Sequence, residues 1–233
     1  DCSLFGTNNG DNRERDYHFK ILPEITTSAG KDQTCAVRGS GPDASLRCWG
    51  RNDKGQLGTS VQADAPIPTP VQGIIAPLTV DMASEHGCAV DGLGDIHCWG
   101  DNTFGRVSPT AEETILGPTV FSHPRVDFVD VCTTDATTCG LSERGRLICW
   151  GTNNQGLLGT SLGVGARVEE HIEPFPTRRF ATVSCGGAHM CGTTFEDESV
   201  CWGSNDRGQV GAAIDDPVVG QPRAIASPLQ GTV

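Results

Sequence analysis

Cysteine is the residue type whose number and spacing in this sequence indicate chemistry. Eight of the eleven cysteines form four pairs, with nine or twelve residues between partners: Cys35 and Cys48, Cys88 and Cys98, Cys139 and Cys149, Cys191 and Cys201. Thiols in such numbers either ligate a metal or are oxidised to disulfides. Zinc is disfavoured because no Cys-x-x-Cys occurs and the remaining C-x5-C and C-x6-C spacings match no common zinc pattern. The sequence predicts disulfides, no metal and no cofactor.

The other polar residues suggest no catalytic centre. The sequence contains no H-E-x-x-H and no phosphate-binding loop. His86 and His189 stand two residues before the first cysteine of a pair, where the other pairs have Gln33 and Thr137. Because buried polar groups find partners, we expect these histidines to hydrogen-bond to turn backbone. We predict that the protein has no catalytic residues and is not an enzyme.

Each cysteine pair belongs to a longer unit in which Trp-Gly-x-Asn-x-x-Gly follows the second cysteine. The tryptophans of these units are 50, 51 and 52 residues apart: Trp49, Trp99, Trp150 and Trp202. Such a period is typical of folds that repeat one supersecondary unit. The asparagines are interpreted as turn formers, because the D-x-[DN]-x-[DN]-G spacing of a calcium loop is absent.

Within each unit, a turn joins two short runs of strand-forming residues, as in Cys88-Ala-Val and Ile-His-Cys98. This pattern predicts an antiparallel β-hairpin. Opposed residues of a hairpin have Cα atoms about 4.5–5.5 Å apart, a separation that permits a disulfide. We therefore predict one disulfide inside each unit and burial of the tryptophan that follows it between neighbouring sheets.

The period, the G-x-L/I-x-C-W-G segment and the N-x-x-G-Q-L-G segment together resemble the repeats of the regulator of chromosome condensation (RCC1) family, whose members form β-propellers. The paired cysteines resemble its secreted branch. Kelch repeats have a similar period, but their double glycine occurs here only once, at Gly186-Gly187. The expected fold class is an all-β propeller with four full blades and an incomplete closing blade. The chain would form a ring of about five blades, or it would be part of a seven-bladed ring.

We expect one domain over residues 1–233, with a partial repeat at 1–24 and full repeats near 25–75, 76–125, 126–179 and 180–233. Cys132 and Cys185 occupy matching strands of adjacent repeats, seven and six residues before the first paired cysteine. They are predicted to form a fifth disulfide between two blades. Cys2 remains without an assigned partner.

The cysteine content favours an oxidising compartment. No run of about 18 apolar residues occurs, so no membrane span is expected. The first residues, Asp-Cys-Ser-Leu-Phe, lack the features of a signal peptide, which would have been removed or lie outside this sequence. The predicted location is extracellular, on the cell surface or in a periplasm.

The net charge of −12 opposes nucleic-acid binding, which requires basic surface. The chromatin and GTPase-exchange roles of the family's nuclear founder are therefore not expected. Acidic pairs follow three of the tryptophans and would form an acidic crown on one rim: Glu112 and Glu113, Glu169 and Glu170, Asp215 and Asp216. The first and last pairs begin 13 residues after the tryptophan, and Glu169 and Glu170 begin 19 residues after it, in a loop that we expect to be longer. The competing interpretation is a set of solvated loops that maintain solubility.

Four segments differ in sequence while the frame repeats: Thr59–Ala76, Val107–Arg125, Thr160–Arg179 and Ala212–Pro228. Loops on a rigid scaffold commonly carry recognition. Candidate apolar anchors for a partner are Phe104, Phe121, Phe175 and Ile172. The predicted function is a non-enzymatic propeller that binds a protein or another macromolecule through rim loops. The alternatives are a structural subunit that self-assembles through incomplete terminal blades, and a secreted enzyme inhibitor.

Overall fold

A computed structural model describes residues 25–109, 112–121, 126–159, 162–211 and 216–225. These residues form four sheets, named the first to fourth blades, each made of four consecutive antiparallel strands. The first blade contains β1 (Ile25–Ala29), β2 (Gln33–Arg38), β3 (Ser45–Gly50) and β4 (Ala65–Pro70). The second contains β5 (Thr79–Met82), β6 (His86–Val90), β7 (Ile96–Asp101) and β8 (Thr114–Phe121).

The third blade contains β9 (Phe128–Thr133), β10 (Thr137–Ser142), β11 (Leu147–Thr152) and β12 (Arg167–Ile172). The fourth contains β13 (Phe180–Cys185), β14 (His189–Thr194), β15 (Ser199–Ser204) and β16 (Val218–Ala224). In the described part of the chain, the one helical element is a short 3-10 turn, Gly41–Asp43, in the first hairpin. No helix within the described ranges is long and apolar enough to span a membrane.

Tight turns close the hairpins between the second and third strands of each blade. Gly94 and Gly145 adopt φ values of 80° and 73° in the second and third blades, a conformation that glycine reaches without steric cost. Asp197 takes the equivalent position in the fourth blade with φ 59°. The first hairpin is longer and accommodates its extra residues in the 3-10 turn.

The two hairpin cysteines of every blade lie directly opposite each other. Their Cα atoms are 4.1 Å apart in all four disulfides. A fifth disulfide joins Cys132 on β9 to Cys185 on β13, with Cα atoms 5.6 Å apart. The structure thus pairs the ten cysteines in the combinations that the sequence predicts. Cys2 lies outside the described residues.

The first strand of each blade lies innermost, beside the first strand of the next blade. Ser28 Oγ on β1 donates a hydrogen bond to Asp81 on β5 at 3.0 Å. Thr133 on β9 donates to the same carboxylate through its backbone N–H at 2.6 Å and its hydroxyl at 2.8 Å. Turns from all four blades line one axial cavity. The predicted all-β propeller with four full blades is confirmed, and the expected closing blade falls on residues 1–24 and 226–233, outside the described part.

Neighbouring blades pack the disulfide face of one sheet against the tryptophan face of the next. The indole N–H groups donate to backbone carbonyls of the preceding blade at 2.8, 2.9 and 3.2 Å: Trp99 to Gln56, Trp150 to Arg106, Trp202 to Leu157. Trp99 and Trp202 are fully buried, whereas Trp49 in the first blade is half-buried. Tryptophan and the Asn-x-x-Gly segment are therefore two halves of one interface, which explains why they recur together.

Candidate binding rim

A buried asparagine holds each loop that connects the third and fourth strands of a blade. These asparagines are at most 1% exposed: Asn52, Asn102, Asn153 and Asn205. Each side-chain carbonyl accepts a hydrogen bond from the backbone N–H five residues later, at 2.9 Å from Leu57 in the first blade. Each amide group donates to carbonyls farther along the loop, including Val61 at 2.6 Å. The asparagines act as the anchors of their loops.

We expect Asn52→Ala to lower the free energy of unfolding by about 2–3 kcal/mol, because it leaves buried backbone groups without partners. Denaturant unfolding with the disulfides intact measures the change. Asn154→Ala is the matched control, since this half-buried asparagine lies one residue after the third anchor and is expected to change stability by less than about 0.5 kcal/mol. Equal effects of the two substitutions would contradict the anchoring role.

The anchored loops comprise residues 51–64, 102–113, 153–166 and 205–217. Because the third strand runs in the same direction in every blade, all four loops emerge at one rim of the propeller, named the binding rim. Most of the hydrogen bonds that the anchor side chains make use backbone groups of the loop, so most loop side chains are free to vary without loss of the anchor. This arrangement explains how the loops differ while the frame repeats.

Acidic residues of the second and fourth blades lie at equivalent points of this rim. Glu112 and Glu113 are exposed just before β8, and their carbonyls accept hydrogen bonds from the side chain and the backbone of Asn102, each at 2.8 Å. Asp216 is exposed just before β16, and its carbonyl accepts from the Asn205 amide group at 2.9 Å. Asp215 lies outside the described residues.

The third blade departs from the expected loop pattern. Glu169 and Glu170 lie within β12, so their placement in the preceding loop is wrong. The loop ends at Ala166, whose carbonyl accepts the Asn153 N–H at 2.8 Å, and the strand begins at the next residue. Glu170 is exposed on the outermost strand of its blade.

The expectation that His86 bonds to turn backbone is wrong. His86 is fully buried, and its Nε2 lies 3.0 Å from Thr138 Oγ1 in the next blade. Burial, together with the positive charge of Arg106, lowers the pKa of His86 well below its usual value, so the ring is neutral in the folded protein. Gln33 in the matching position also reaches the next blade, donating to Ala83 O at 2.7 Å. In the first and second blades this position is therefore a contact with the next blade, whereas Thr137 in the third blade donates to Thr152 O of its own blade at 2.9 Å.

Arg106 is a buried residue that the repeat pattern does not reveal by itself. Its guanidinium bonds to Asp101 Oδ1 at 2.6 Å and to the backbone carbonyl of Asp135 in the next blade. Burial alone would raise the pKa of Asp101, but hydrogen bonding from Thr103 and the charge of Arg106 lower it below its ordinary value. The second repeat alone has Asp and Arg at the positions of Asp101 and Arg106, where the other repeats have other residue types. This joint change is the only indication of the ion pair in the sequence.

Asp81 and Asp130 on the inner strands were also not singled out by the sequence. Asp130 accepts hydrogen bonds from its neighbour Val131 N–H at 2.9 Å and from Thr79 Oγ1 at 3.5 Å. Burial raises the pKa of Asp130 to about 6, and the negative charge of Asp81 acts in the same direction. Ionised Asp130 therefore destabilises the fold at neutral pH.

Asp130→Asn is expected to raise the free energy of unfolding by about 2 kcal/mol at pH 7.5 and to change it little at pH 4. The pKa of Asp130 is higher in the folded state than in the unfolded state. The free energy of unfolding of the wild-type protein therefore falls by about this amount as pH rises from about 4 to 6. Denaturation at both pH values measures the difference. A variant effect that is the same at the two pH values would contradict the raised pKa.

Residues 159–163 read Gly-Thr-Ser-Leu-Gly and match the G-x-S-x-G pattern of hydrolases. That pattern acts at a turn from a strand into a helix, whereas here the loop connects β11 to β12. Ser161 itself lies outside the described residues. Among the residues that the structure places, no group of three or more His, Cys, Asp or Glu side chains could hold a metal ion.

The candidate apolar anchors have different surroundings. Phe175 is buried and meets the edge of Trp202 at 5.3 Å. Ile172 is half-buried against the same core. Phe104 is 38% exposed on the loop of the second blade, and Phe121 is half-buried on β8. Phe104 and Phe121 are thus the two that a partner could reach.

Sequence profiles described as the regulator of chromosome condensation (RCC1) repeat match this chain. One matches residues 45–90 and 144–192, and another matches residues 128–157 and 180–209. Together they span more than half of the 233 residues.

Among similar proteins, human E3 ubiquitin-protein ligase HERC2 is 26% identical over 190 residues, which are 79% of this chain and 4% of that protein. The ultraviolet-B receptor UVR8 of Arabidopsis thaliana is 24% identical over 190 residues, covering 80% and 43%. The crystal structure of yeast RCC1 (Prp20) bound to Kap60 has a TM-score of 0.76 at 18% identity, covering 88% of this chain and 49% of that one. The chain thus spans less than half the length of these relatives. With its profile matches, its four blades and its repeated tryptophan interface, it belongs to the family of RCC1-repeat β-propellers.

Proposed function

We propose that this propeller is a non-enzymatic binding module of an oxidising compartment, either extracellular, on the cell surface or periplasmic, and that it recognises a protein through the binding rim. The observation that carries this proposal is the anchoring of four dissimilar loops by four equivalent buried asparagines. A constant scaffold with variable loops suits recognition. Within the described ranges, no three His, Cys, Asp or Glu side chains lie together as a possible metal site.

The disulfides support the assignment of compartment. Ten cysteines lie within disulfide distance in five pairs, four of them inside single hairpins. Disulfides in such numbers persist where the surroundings are oxidising and are rare in the cytosol. Each of the four hairpin bridges stabilises a small sheet by restricting its unfolded state, so a loop can vary without unfolding the blade.

Charge and relatives support a protein partner. The net charge of −12 disfavours nucleic acid and favours a basic surface. Yeast RCC1, which shares the fold, was crystallised with the protein Kap60. The exposed Glu112, Glu113 and Asp216 lie on the rim where such a surface would dock.

Affinity capture tests this proposal. Tagged protein is incubated with the extracellular fraction of the source organism, beside a variant with Glu112, Glu113, Asp215 and Asp216 changed to alanine. We expect a protein that is retained by the wild type, released by about 0.5 M salt and retained poorly by the variant. Capture that is equal for both proteins would contradict recognition through the rim acids, and no capture by either would contradict the binding function.

A structural subunit is the second candidate, and the half-buried Trp49 favours it. The tryptophan face of the first blade carries the exposed Arg47 where the other blades have the buried residues His97, Ile148 and Val200. This face resembles the others in geometry but is more polar. Size-exclusion chromatography with light scattering separates the candidates, because a defined polymer supports assembly and a monomer at all concentrations contradicts it.

A further inference from the structure

The disulfide between the third and fourth blades lies beside the axis of the propeller, where a small solute can reach it. Cys185 is half-buried and lines two axial cavities of about 210 and 150 Å³. Of the ten bridged cysteines in the described part of the chain, Cys185 and Cys191 are half-buried, and the other eight are at most 2% exposed. Because thiol–disulfide exchange requires access to a sulfur atom, these two cysteines are the points at which a thiol can attack.

The same two inner-strand positions join each pair of neighbouring blades in turn. Between the first and second blades, Met82 N–H donates to Ser28 Oγ at 3.0 Å. Between the second and third, Thr133 N–H donates to the Asp81 carboxylate at 2.6 Å. Between the third and fourth, the equivalent residues are the bridged Cys132 and Cys185. Hydrogen bonds alone hold the two equivalent contacts, so inner strands can stay adjacent without a covalent bridge.

Cys132 lies at the end of a row of three cysteines that crosses the third blade. It is directly opposite Cys139 on β10, and Cys139 is directly opposite Cys149 on β11. Opposed residues of antiparallel strands have Cα atoms about 4.5–5.5 Å apart, a separation that a disulfide can span. Cys139 can therefore bond to the cysteine on either side of it. In the other blades the position of Cys132 is taken by Ser28, Asp81 and Ser184.

We propose that the Cys132–Cys185 bridge is a thiol-exchange site and that the row of three cysteines passes the released thiolate outward. The thiolate of a small thiol attacks Cys185 Sγ, forms a mixed disulfide there and releases Cys132 as a thiolate. Cys132 then attacks Cys139 Sγ, so that a Cys132–Cys139 bond forms and the Cys139–Cys149 bond breaks. Cys149 takes up the proton that the small thiol lost. Each step exchanges one disulfide for another, so the small thiol is the sole co-reactant.

The order of the strands suits the second step. A thiolate attacks a disulfide along the axis of the S–S bond. Strand β10, with Cys139, lies between β9 and β11, so Cys132 approaches Cys139 from the side away from Cys149. The leaving sulfur and the attacking sulfur are thus on opposite sides of the sulfur that is attacked.

The half-buried Cys191 lacks such a second step. Its partner Cys201 is opposite Arg223 on β16, and Cys191 itself is opposite Ser184 on β13. A Cys201 thiolate therefore has no third cysteine next to it in the row, and strand pairing holds it where the hairpin bridge forms again. Exchange at Cys185 is the one that we expect to persist.

The third and fourth blades stay packed when the bridge between them opens. Asp135 N–H donates to Gly187 O, and Phe180 N–H donates to Gly145 O, each at 2.9 Å. Trp202 remains buried in the core that the two blades share. Exchange should therefore loosen β13 without unfolding the propeller, and it does not depend on which partner the binding rim recognises.

Reduced glutathione is the probe for the exchange site in the wild-type protein. After an acid quench and alkylation of free thiols, mass spectrometry should find glutathione on Cys185 and an alkylated thiol at Cys149. We expect this product to form at least about tenfold faster than the Cys88–Cys98 bridge opens. Equal rates for the two bridges, or glutathione first on Cys191, would overturn the exchange site.

Two variants in a Cys2→Ser background test the transfer of the thiolate without added thiol. Cys185→Ser leaves Cys132 unpaired, and non-reducing peptide mapping should find Cys132 joined to Cys139. The matched control, Cys132→Ser, loses the same bridge but leaves Cys185 opposite Met190, so its Cys139 bridge should remain unchanged. The same intact hairpin bridge in both variants would overturn the transfer.

The Cys88–Cys98 bridge of the second blade reports whether these variants are folded. If that bridge is also rearranged, the variant has unfolded, and the glutathione experiment on the wild type decides instead. Alkylation confined to Cys132, with none at Cys149, would then show that the released thiolate does not move along the row.

Discussion

Trp99→Ala is expected to lower the free energy of unfolding by about 3–5 kcal/mol. The Trp99 side chain is fully buried between the first and second blades, and its N–H donates to Gln56 O at 2.8 Å. Substitution by alanine removes the apolar contact, opens a cavity and leaves that carbonyl without its partner. Gly58 packs so closely on the indole ring that a Cβ there would lie 2.8 Å from it, so the surroundings cannot collapse easily into the space.

The same substitution at Trp49 is the matched control. Trp49 follows the hairpin cysteine in the same way but is half-buried on the face of the first blade. Its replacement should cost about 1–2 kcal/mol, since less apolar area is exposed on unfolding. Denaturant titration of both variants measures the difference. Equal losses would show that the tryptophan interface between blades is not the main source of stability.

Loss of the disulfide between blades should have the next largest effect. Changing both Cys132 and Cys185 to alanine is expected to lower the free energy of unfolding by about 4 kcal/mol. These cysteines are 53 residues apart in sequence, whereas the cysteines of the second-blade hairpin are 10 apart. Closing the longer loop removes more conformational entropy from the unfolded chain.

Removal of the Cys88 and Cys98 bridge by alanine provides the comparison and should cost about 3 kcal/mol. The two double variants are compared by guanidinium titration under non-reducing conditions. A smaller loss for the Cys132 and Cys185 variant than for the hairpin variant would contradict the expectation that the longer bridge contributes more.

The sequence predicts the features that return at the same position in every repeat. Four hairpins, their cysteine pairs and their tryptophans could be placed because the same residue types return at nearly the same period, and each copy supports the others. The fifth disulfide followed from comparing Cys132 and Cys185 in adjacent copies. The asparagines were interpreted as turn formers. They do lie in the turns, but their buried side chains also hold the whole loop by hydrogen bonds.

The polar contacts between blades could not be predicted, because they join residues about 50 positions apart whose types differ between repeats. His86 bonds to Thr138 of the next blade, and nothing near either residue in the sequence indicates it. Asp130 has a raised pKa only because the inner strands bring it close to Asp81. Glu170 was placed in a loop because the longer connection in the third blade obscures where β12 begins.

Disulfide mapping tests the central claim that each blade is closed by its own bridge and that one bridge joins two blades. Digestion of the unreduced protein with trypsin and Asp-N cleaves every hairpin between its two cysteines, at Asp or Arg positions. Mass spectrometry should then find linked peptides for the first three hairpins: Cys35 with Cys48, Cys88 with Cys98, Cys139 with Cys149. Peptide 180–196, which carries Cys185 and Cys191, should be joined to the peptides that contain Cys132 and Cys201. Free thiols at these positions, or bridges between cysteines of different hairpins, would contradict the account.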